Sequence, residues 1–322
     1  MNDLLILAMV WLGFAVLIAL TTRALLARLL TRLDRLSPAR RSQWLWMICG
    51  APAWGGLALC ALCLTPSVLG FIWPGLDHCA DHAHHAHLCL VHGTAAPLKS
   101  VWLAPLLLAL AVVGWRLAGS TRQLLRARAL LAALERTARR DAQSGAYLLD
   151  VEDTWAFVGG LLRQRVFVSN SLRQQLSPDQ MALVLAHERA HVSRRDNLRR
   201  LTASLLSSFH LPSTRLLLLD RLELACEQAC DDLTARSERE RLQLAQTLLR
   251  LSLLVEDRSS PAAYAASAAV GHLEPRVQAL LSPPTRPRDA SAWSVAITCV
   301  LIALLTEPLH HATETLLNLL LD

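Results

Sequence analysis

The stretch SPDQMALVLAHERAH, residues 177–191, decides how the chain is read. Ser177, Pro178 and Gln180 make a helix start: a capping hydroxyl, a proline at the first helical position, and an amide three residues on that can bond back to the cap. The apolar run Met181 to Ala186 carries that helix into His187-Glu188-Arg189-Ala190-His191. Histidines four apart project from one helix face, so both imidazoles can hold one Zn²⁺, with Glu188 beside them to take a proton from the attacking water. Two ordinary helical histidines, one turned to the core, are the plainer alternative.

A catalytic zinc needs a third protein ligand and one open position. The segment DRLELACEQACDD, residues 220–232, offers it. Glu223, Glu227 and Asp231 fall at i, i+4 and i+8 on one face, and spacing alone does not choose between Glu223 and Glu227. Without the upstream histidines this stripe reads as a solvated acidic face paired with arginines. Cys226 and Cys230 lie roughly 100° round the helix from Glu227 and Asp231, so both thiols are expected to point away from the metal. Upstream, Ala146 to Asp150 and Arg165 to Ser169 are apolar or β-branched with Gly159-Gly160 between them, which predicts a small sheet or hairpin. A strand near Trp155 to Gly160 could pair with an extended substrate peptide.

Beyond this region the chain is short of charge. Of its 322 residues 53% are hydrophobic and 18% charged, against about 25% charged in soluble domains, and the deficit sits in a few charge-free runs. These predict four membrane spans at about 4–22, 44–72, 100–118 and 290–306, the third reaching 118 if Arg116 snorkels. Pro52, Gly55, Gly56 and Pro66 make the second a kinked or tilted crossing. Trp44, Trp46, Trp73, Trp102, Trp115 and Trp293 stand at the ends of these runs, where indoles favour the interface. A buried bundle of a large soluble protein is the alternative.

Arginine sets the orientation. All but one of the 32 basic residues fall in 23–41 and 116–289, whereas 74–99 holds Lys99 alone and the tail after Thr306 holds none. The positive-inside bias places both basic blocks in the cytoplasm of a bacterial inner membrane and the N-terminus outside, the first span being an anchor rather than a cleaved signal peptide. The second block carries 25 basic and 19 acidic residues, too balanced for a phosphate-binding stripe, so no direct nucleic-acid partner is expected. The fold class is therefore mainly α. A polytopic membrane protein of about four transmembrane helices comprises an N-terminal region 1–119, an α+β zinc protease domain 120–289 inserted between spans three and four, the fourth span, and a short outer tail 307–322.

The outer loop 74–99 contains His78, Cys79, His82, His84, His85, His87, Cys89 and His92. That density suits a second transition-metal site for Zn²⁺, Cu⁺ or Ni²⁺, and equally a Cys79–Cys89 disulfide with solvated histidines. Cys60 and Cys63 have redox spacing but lie in an apolar span, so with Cys49 and Cys299 they read as small membrane hydrophobes.

The run LAHERAHVSRRDNL, residues 185–198, followed 36 residues after His191 by Glu227-Gln228-Ala229-Cys230-Asp231, resembles the membrane metallopeptidases of the BlaR/MecR antirepressor type. Trp155 to Gly160 and Val166 to Ser169 are similar to the strand region before that helix, and the likeness covers spans and protease domain. The related HtpX and CAAX-processing gluzincins share the two helices but usually lack the Arg-Arg-Asp continuation and the Cys before the last Asp. The resemblance implies a gluzincin-type fold, His187, His191 and Glu227 as zinc ligands, Glu188 as general base, and Asp231 as acceptor of a ligand imidazole's hydrogen bond. Asp196 is either another such outer acceptor or the N-cap of the helix that follows, with the cap favoured. His210, Tyr264 and several arginines are candidates for stabilising the oxyanion. The implied substrate is a cytoplasmic transcriptional repressor, or the chain itself in the Pro/Arg-rich linker Ser282 to Asp289. Antibiotic-sensing members carry a penicillin-binding domain after the last span, whereas 16 residues follow Thr306 here, which leaves β-lactam sensing unsupported. A quality-control protease of the HtpX type and a non-proteolytic metal-sensing signalling protein built on the His-rich loop are the rival functions.

Overall fold

The computed structural model describes residues 2–73, 100–256, 272–283, 308–316 and 319. The His-rich loop with its metal site or disulfide, the fourth span, Tyr264 and most of the linker 282–289 lie outside the described residues.

Helices α1 (Asn2–Leu33) and α2 (Pro38–Ile72) form an antiparallel hairpin. Over Leu4–Leu33 and Pro38–Thr65 they are long and apolar enough to cross a membrane. The two approach closely at Gly56, where an added Cβ would lie 3.1 Å from Trp11. The expected basic loop 23–41 is mostly helix: Leu, Ala and Arg are good helix formers, so α1 continues to Leu33 and only 34–37 turn before Pro38 opens α2. Helix α3 (Ser100–Thr137) holds the third expected span in its N-terminal half, and it runs through the expected domain boundary at 119.

Four short strands follow: β1 (Arg139–Arg140), β2 (Tyr147–Leu149), β3 (Ala156–Gly159) and β4 (Arg165–Ser169). Their order is β1-β2-β4-β3, with β2 and β4 parallel and the other pairs antiparallel. The expected strands are present, and β3 is an edge strand. Its outward edge is partly occupied, because Asn197 Nδ2 donates to the carbonyls of Val158 (2.8 Å) and Gly160 (3.0 Å).

Helices α4 (Asn170–Gln175), α5 (Pro178–Arg194), α6 (Asp196–Leu206), α7 (Pro212–Thr234), α8 (Glu238–Glu256) and α9 (Leu273–Leu281) complete the described domain, with a 3-10 turn Ser207–Phe209 before α7. The predicted capping box opens α5: Ser177 Oγ accepts from the Gln180 amide and Gln180 Oε1 from the Ser177 amide. Val168, Leu172, Leu176 and Val184 bury α5 and α4 against the sheet. A second core joins the hairpin to the protease helices, with Leu26, Leu33, Leu45 and Cys49 packed on Leu218, Leu222 and Cys226. Each such leucine contributes about 1.5–3 kcal/mol.

Trp46 Nε1 donates to Thr202 Oγ1 at 2.8 Å and His210 Nε2 to the Ile48 carbonyl at 2.9 Å, so one side of residues 42–49 of α2 seats α6 and the turn before α7, while Trp44 and Met47 stay exposed on the other. Arg116 does not snorkel: its Nη1 donates to the carbonyls of Ser208 (2.6 Å) and His210 (3.0 Å). The tail residues 308–316 are helical, and Leu309 packs on Ile6, Val10, Cys60 and Cys63 at the far end of the hairpin.

Candidate metal centre

The helical period of α5 sets His187 and His191 one above the other, their rings edge-on with centroids 4.9 Å apart. Helix α7 brings Glu227 to both: Oε2 lies 3.3 Å from His187 Nε2 and Oε1 3.4 Å from His191 Nε2. The three donors lie within 4.8 Å of one another and all three residues are buried. Glu223 is only partly buried and stands outside this group, so the choice that spacing left open falls on Glu227.

Behind the donors stand carboxylates. His191 Nδ1 donates to Asp196 Oδ2 at 2.9 Å, and His187 Nδ1 lies 3.1 Å from Asp231 Oδ1, off the line of a formed hydrogen bond. His191 is thus oriented from its far nitrogen, the arrangement that fixes a metal ligand's tautomer, while Asp231 stands behind His187, and both Nε2 atoms face Glu227. Of the two readings left open for Asp196, the geometry matches the outer acceptor of a ligand imidazole and not the cap. Asp196 is the first residue of α6, makes no capping bond, and is swung under His191 by Arg195, whose left-handed backbone (φ 55°) kinks the chain between α5 and α6. Arg194 and Arg199 hold Asp196 on its other side at 3.1 and 3.3 Å and reach Ser42 of α2, which ties the hairpin to a site-orienting carboxylate.

Cys226 and Cys230 stand outside the His187-His191-Glu227 group, as expected of the thiols. Cys230 Sγ lies behind His191, 3.2 Å from its Nδ1 and 3.3 Å from Asp196 Oδ2, on the side turned away from Glu227. His210, proposed as an oxyanion group, is bonded to α2 and lies outside the centre.

Two arginines that sequence reasoning did not single out complete the centre. Arg276 of α9 is buried, holds Asp231 through Nε and Nη2 at 2.9 and 2.8 Å, and touches Glu227 Oε2 through Nη1 at 3.0 Å. Arg200 of α6 donates to Glu227 Oε1 at 2.6 Å. Nothing in the spacing of LEPRVQALL ties its one arginine to a motif 45 residues upstream; only the α7–α9 packing does.

The charges respond accordingly. Burial works against the Glu227 carboxylate, yet His187, His191 and Arg276 hold it well below the ordinary carboxylate range. Asp196, with burial likewise outweighed by His191 and Arg194, is held at about 2. Burial also opposes the His187 imidazolium, and the Asp231 and Glu227 carboxylates overcome it, raising His187 to about 9. Glu188 stands apart. It has no hydrogen-bond partner among the described residues, and its surroundings push its pKa up, offset only in part by the two histidines. A carboxyl with a raised pKa and no fixed partner is free to exchange a proton.

Two imidazole nitrogens and a carboxylate oxygen converging in a buried pocket, each imidazole with a carboxylate behind it, fit a divalent metal of borderline softness. The family model for the BlaR1 peptidase M56 matches residues 76–280, well over half of the chain and the whole of this centre. The chain belongs to the BlaR1 peptidase M56 family. No curated protein and no solved structure matches it. As a family member it is a peptidase, its apolar helices associate it with a membrane, and the His187-His191-Glu227 group gives it a place for a metal.

Proposed function

We propose that the chain is an integral-membrane zinc metalloendopeptidase that cleaves a cytoplasmic transcriptional repressor, its own linker, or both, in response to a signal. The observation that carries this reading is the convergence of His187 Nε2, His191 Nε2 and the Glu227 carboxylate next to a Glu188 with no partner of its own. Helices α1 and α2 cross the inner membrane with the N-terminus outside, α3 and the 290–306 segment add two further crossings, and the centre faces the cytoplasm.

His187, His191 and Glu227 hold the zinc, which when bound acts as a Lewis acid toward water and the scissile carbonyl. Glu188 takes the proton from the attacking water and passes it to the leaving amine, a role its raised pKa suits. Asp196 and Asp231 keep the imidazoles turned, and Arg276 keeps Asp231 in place. The outer metal site in 74–99 belongs to the signal side of the proposal.

The test is purification of the full chain, Glu188→Ala, and a variant lacking 78–92, with bound zinc and self-cleavage measured together. One zinc retained in both variants, with cleavage lost only in Glu188→Ala, is expected. Zinc lost with the loop, and no Glu188-dependent cleavage, would replace the protease with the metal-sensing module.

A further inference from the structure

The turn between α6 and α7 sits at an unexpected depth along the hairpin. Phe209 packs edge-on against Trp11, with ring centroids 5.2 Å apart, and Trp11 Nε1 donates to the Ala53 carbonyl. Trp11 is twelve residues from Arg23, the first basic residue of α1, and Ala53 twelve residues from Arg41, the last near the start of α2. At about 1.5 Å per residue both lie about 18 Å along their helices from charge, well inside the apolar stretches. The turn is thus level with segments that, on the reading above, are in the membrane.

Its backbone carbonyls and charged ends are treated as that depth demands, although His210 Nδ1, Thr214 Oγ1 and Arg215 Nε find no partner among the described residues. Arg116 caps the carbonyls of Ser208 and His210, and His210 Nε2 spends its proton on the Ile48 carbonyl. Arg215 Nη2 bonds back to Ser204 through both the hydroxyl and the carbonyl. Ser207, Ser208, His210 and Thr214 are buried, each under 2% exposed. Non-helical backbone at membrane depth is stable only when protein supplies its partners, and an arginine there needs oxygens to meet it. What faces outward is apolar or small: Leu211, Pro212, Ser213 and, one turn on, Leu216 at 64% exposure. Leu17 and Leu57 on the hairpin are exposed to a similar degree.

We propose that residues 207–216 form a re-entrant tip that enters the cytoplasmic leaflet beside α1, α2 and α3, with Leu211, Pro212 and Leu216 in contact with lipid acyl chains. The inference rests on the membrane reading of α1 and α2. It deepens the function by fixing where the protease works: Glu227 lies eleven residues, about 16 Å, beyond Leu216 along α7. The tip then moors the centre close to the bilayer surface, and the peptide bonds it reaches are those of segments in water near that surface.

A fluorescent amino acid placed singly at 216, at 57 and at 162 tests this in the full chain, reconstituted in vesicles of phosphatidylethanolamine and phosphatidylglycerol. All three native leucines are exposed, at 64%, 56% and 86%, so no core is disturbed. Quenching by nitroxide-bearing lipid and by iodide on both sides of the membrane is compared. The probe at 216 is expected to follow the one at 57, quenched by lipid nitroxide and protected from iodide, while the probe at 162 does the reverse. Iodide quenching at 216 with protection at 57 overturns the re-entrant tip and leaves the spans standing. Iodide quenching at both overturns the tip together with the membrane reading.

Discussion

Helix α7 is met by arginines at both ends, and they find different partners. Near its C-terminal half Arg200 and Arg276 face the carboxylates Glu227 and Asp231; at its N-terminal end Arg116 and Arg215 face neutral carbonyls and a serine hydroxyl. One end is an array of compensating charges around a place for a metal, the other a set of cations closing off backbone that cannot reach water. A buried charge without its partner costs far more than a carbonyl without its donor. The two ends of one helix should therefore fail differently, the first in chemistry and electrostatic balance, the second in packing alone.

The largest effect belongs to the charged end. Glu188→Gln is expected to slow peptide cleavage by about 10²- to 10⁴-fold while leaving metal content and thermal stability unchanged, because Glu188 has no hydrogen-bond partner to lose. A fall in unfolding temperature alongside the rate would show that Glu188 is part of the structural charge array. Arg276→Met strands Asp231 and one oxygen of Glu227 in a buried setting. It should cost about 3–5 kcal/mol in the denaturation of metal-stripped protein. A loss below about 1 kcal/mol would mean that Arg276 is no more than a surface ion pair.

At the other end, Arg116→Met leaves the Ser208 and His210 carbonyls without their donor, for an expected loss of about 1–3 kcal/mol per carbonyl. The decisive measurement is cleavage rate per folded molecule, which should hold. If Arg116→Met abolishes cleavage in protein that is still folded, the two ends of α7 are coupled and the contrast between them breaks.

What the sequence made legible follows the same division between local and distant. The α5 start, its capping box and the pairing of His187 with His191 are encoded within fifteen residues, so period and cap chemistry were enough. Glu227 was narrowed to two positions on one face, and only the approach of α7 to α5 separated it from Glu223. Asp196 stays open in the sequence between a cap and an acceptor because an Asp at a helix start suits both; the left-handed Arg195, at a position where glycine would have been the signal, turns it toward His191. The helical angle keeps Cys230 off the three donors, but its place behind His191 follows only from how α7 packs on α5 and α6. Arg276 and Arg116 were illegible because their partners are 45 and 92 residues away and bear no fixed spacing to them.

The smallest effect separates the two ends by pH. In metal-stripped protein His187 is raised to about 9 from an ordinary 6.5, burial being outweighed by Asp231 and Glu227. A folded-state pKa above the unfolded one gives stability that is full below about 6.5 and is lost as pH rises through about 9. Metal binding runs the other way, since the ligand must be neutral and a bound proton competes with the ion. Affinity for Zn²⁺, measured against a chromophoric chelator, should therefore climb with pH from about 6.5 to 9 by up to about tenfold per unit for each proton displaced, and then level. Asp231→Asn lowers the His187 pKa and should flatten that climb. Arg116 meets two neutral carbonyls, so the destabilisation in Arg116→Met should be the same at pH 6.5 and 9. A Zn²⁺ affinity flat across that range would place the proton elsewhere and remove His187 from the centre of the charge array.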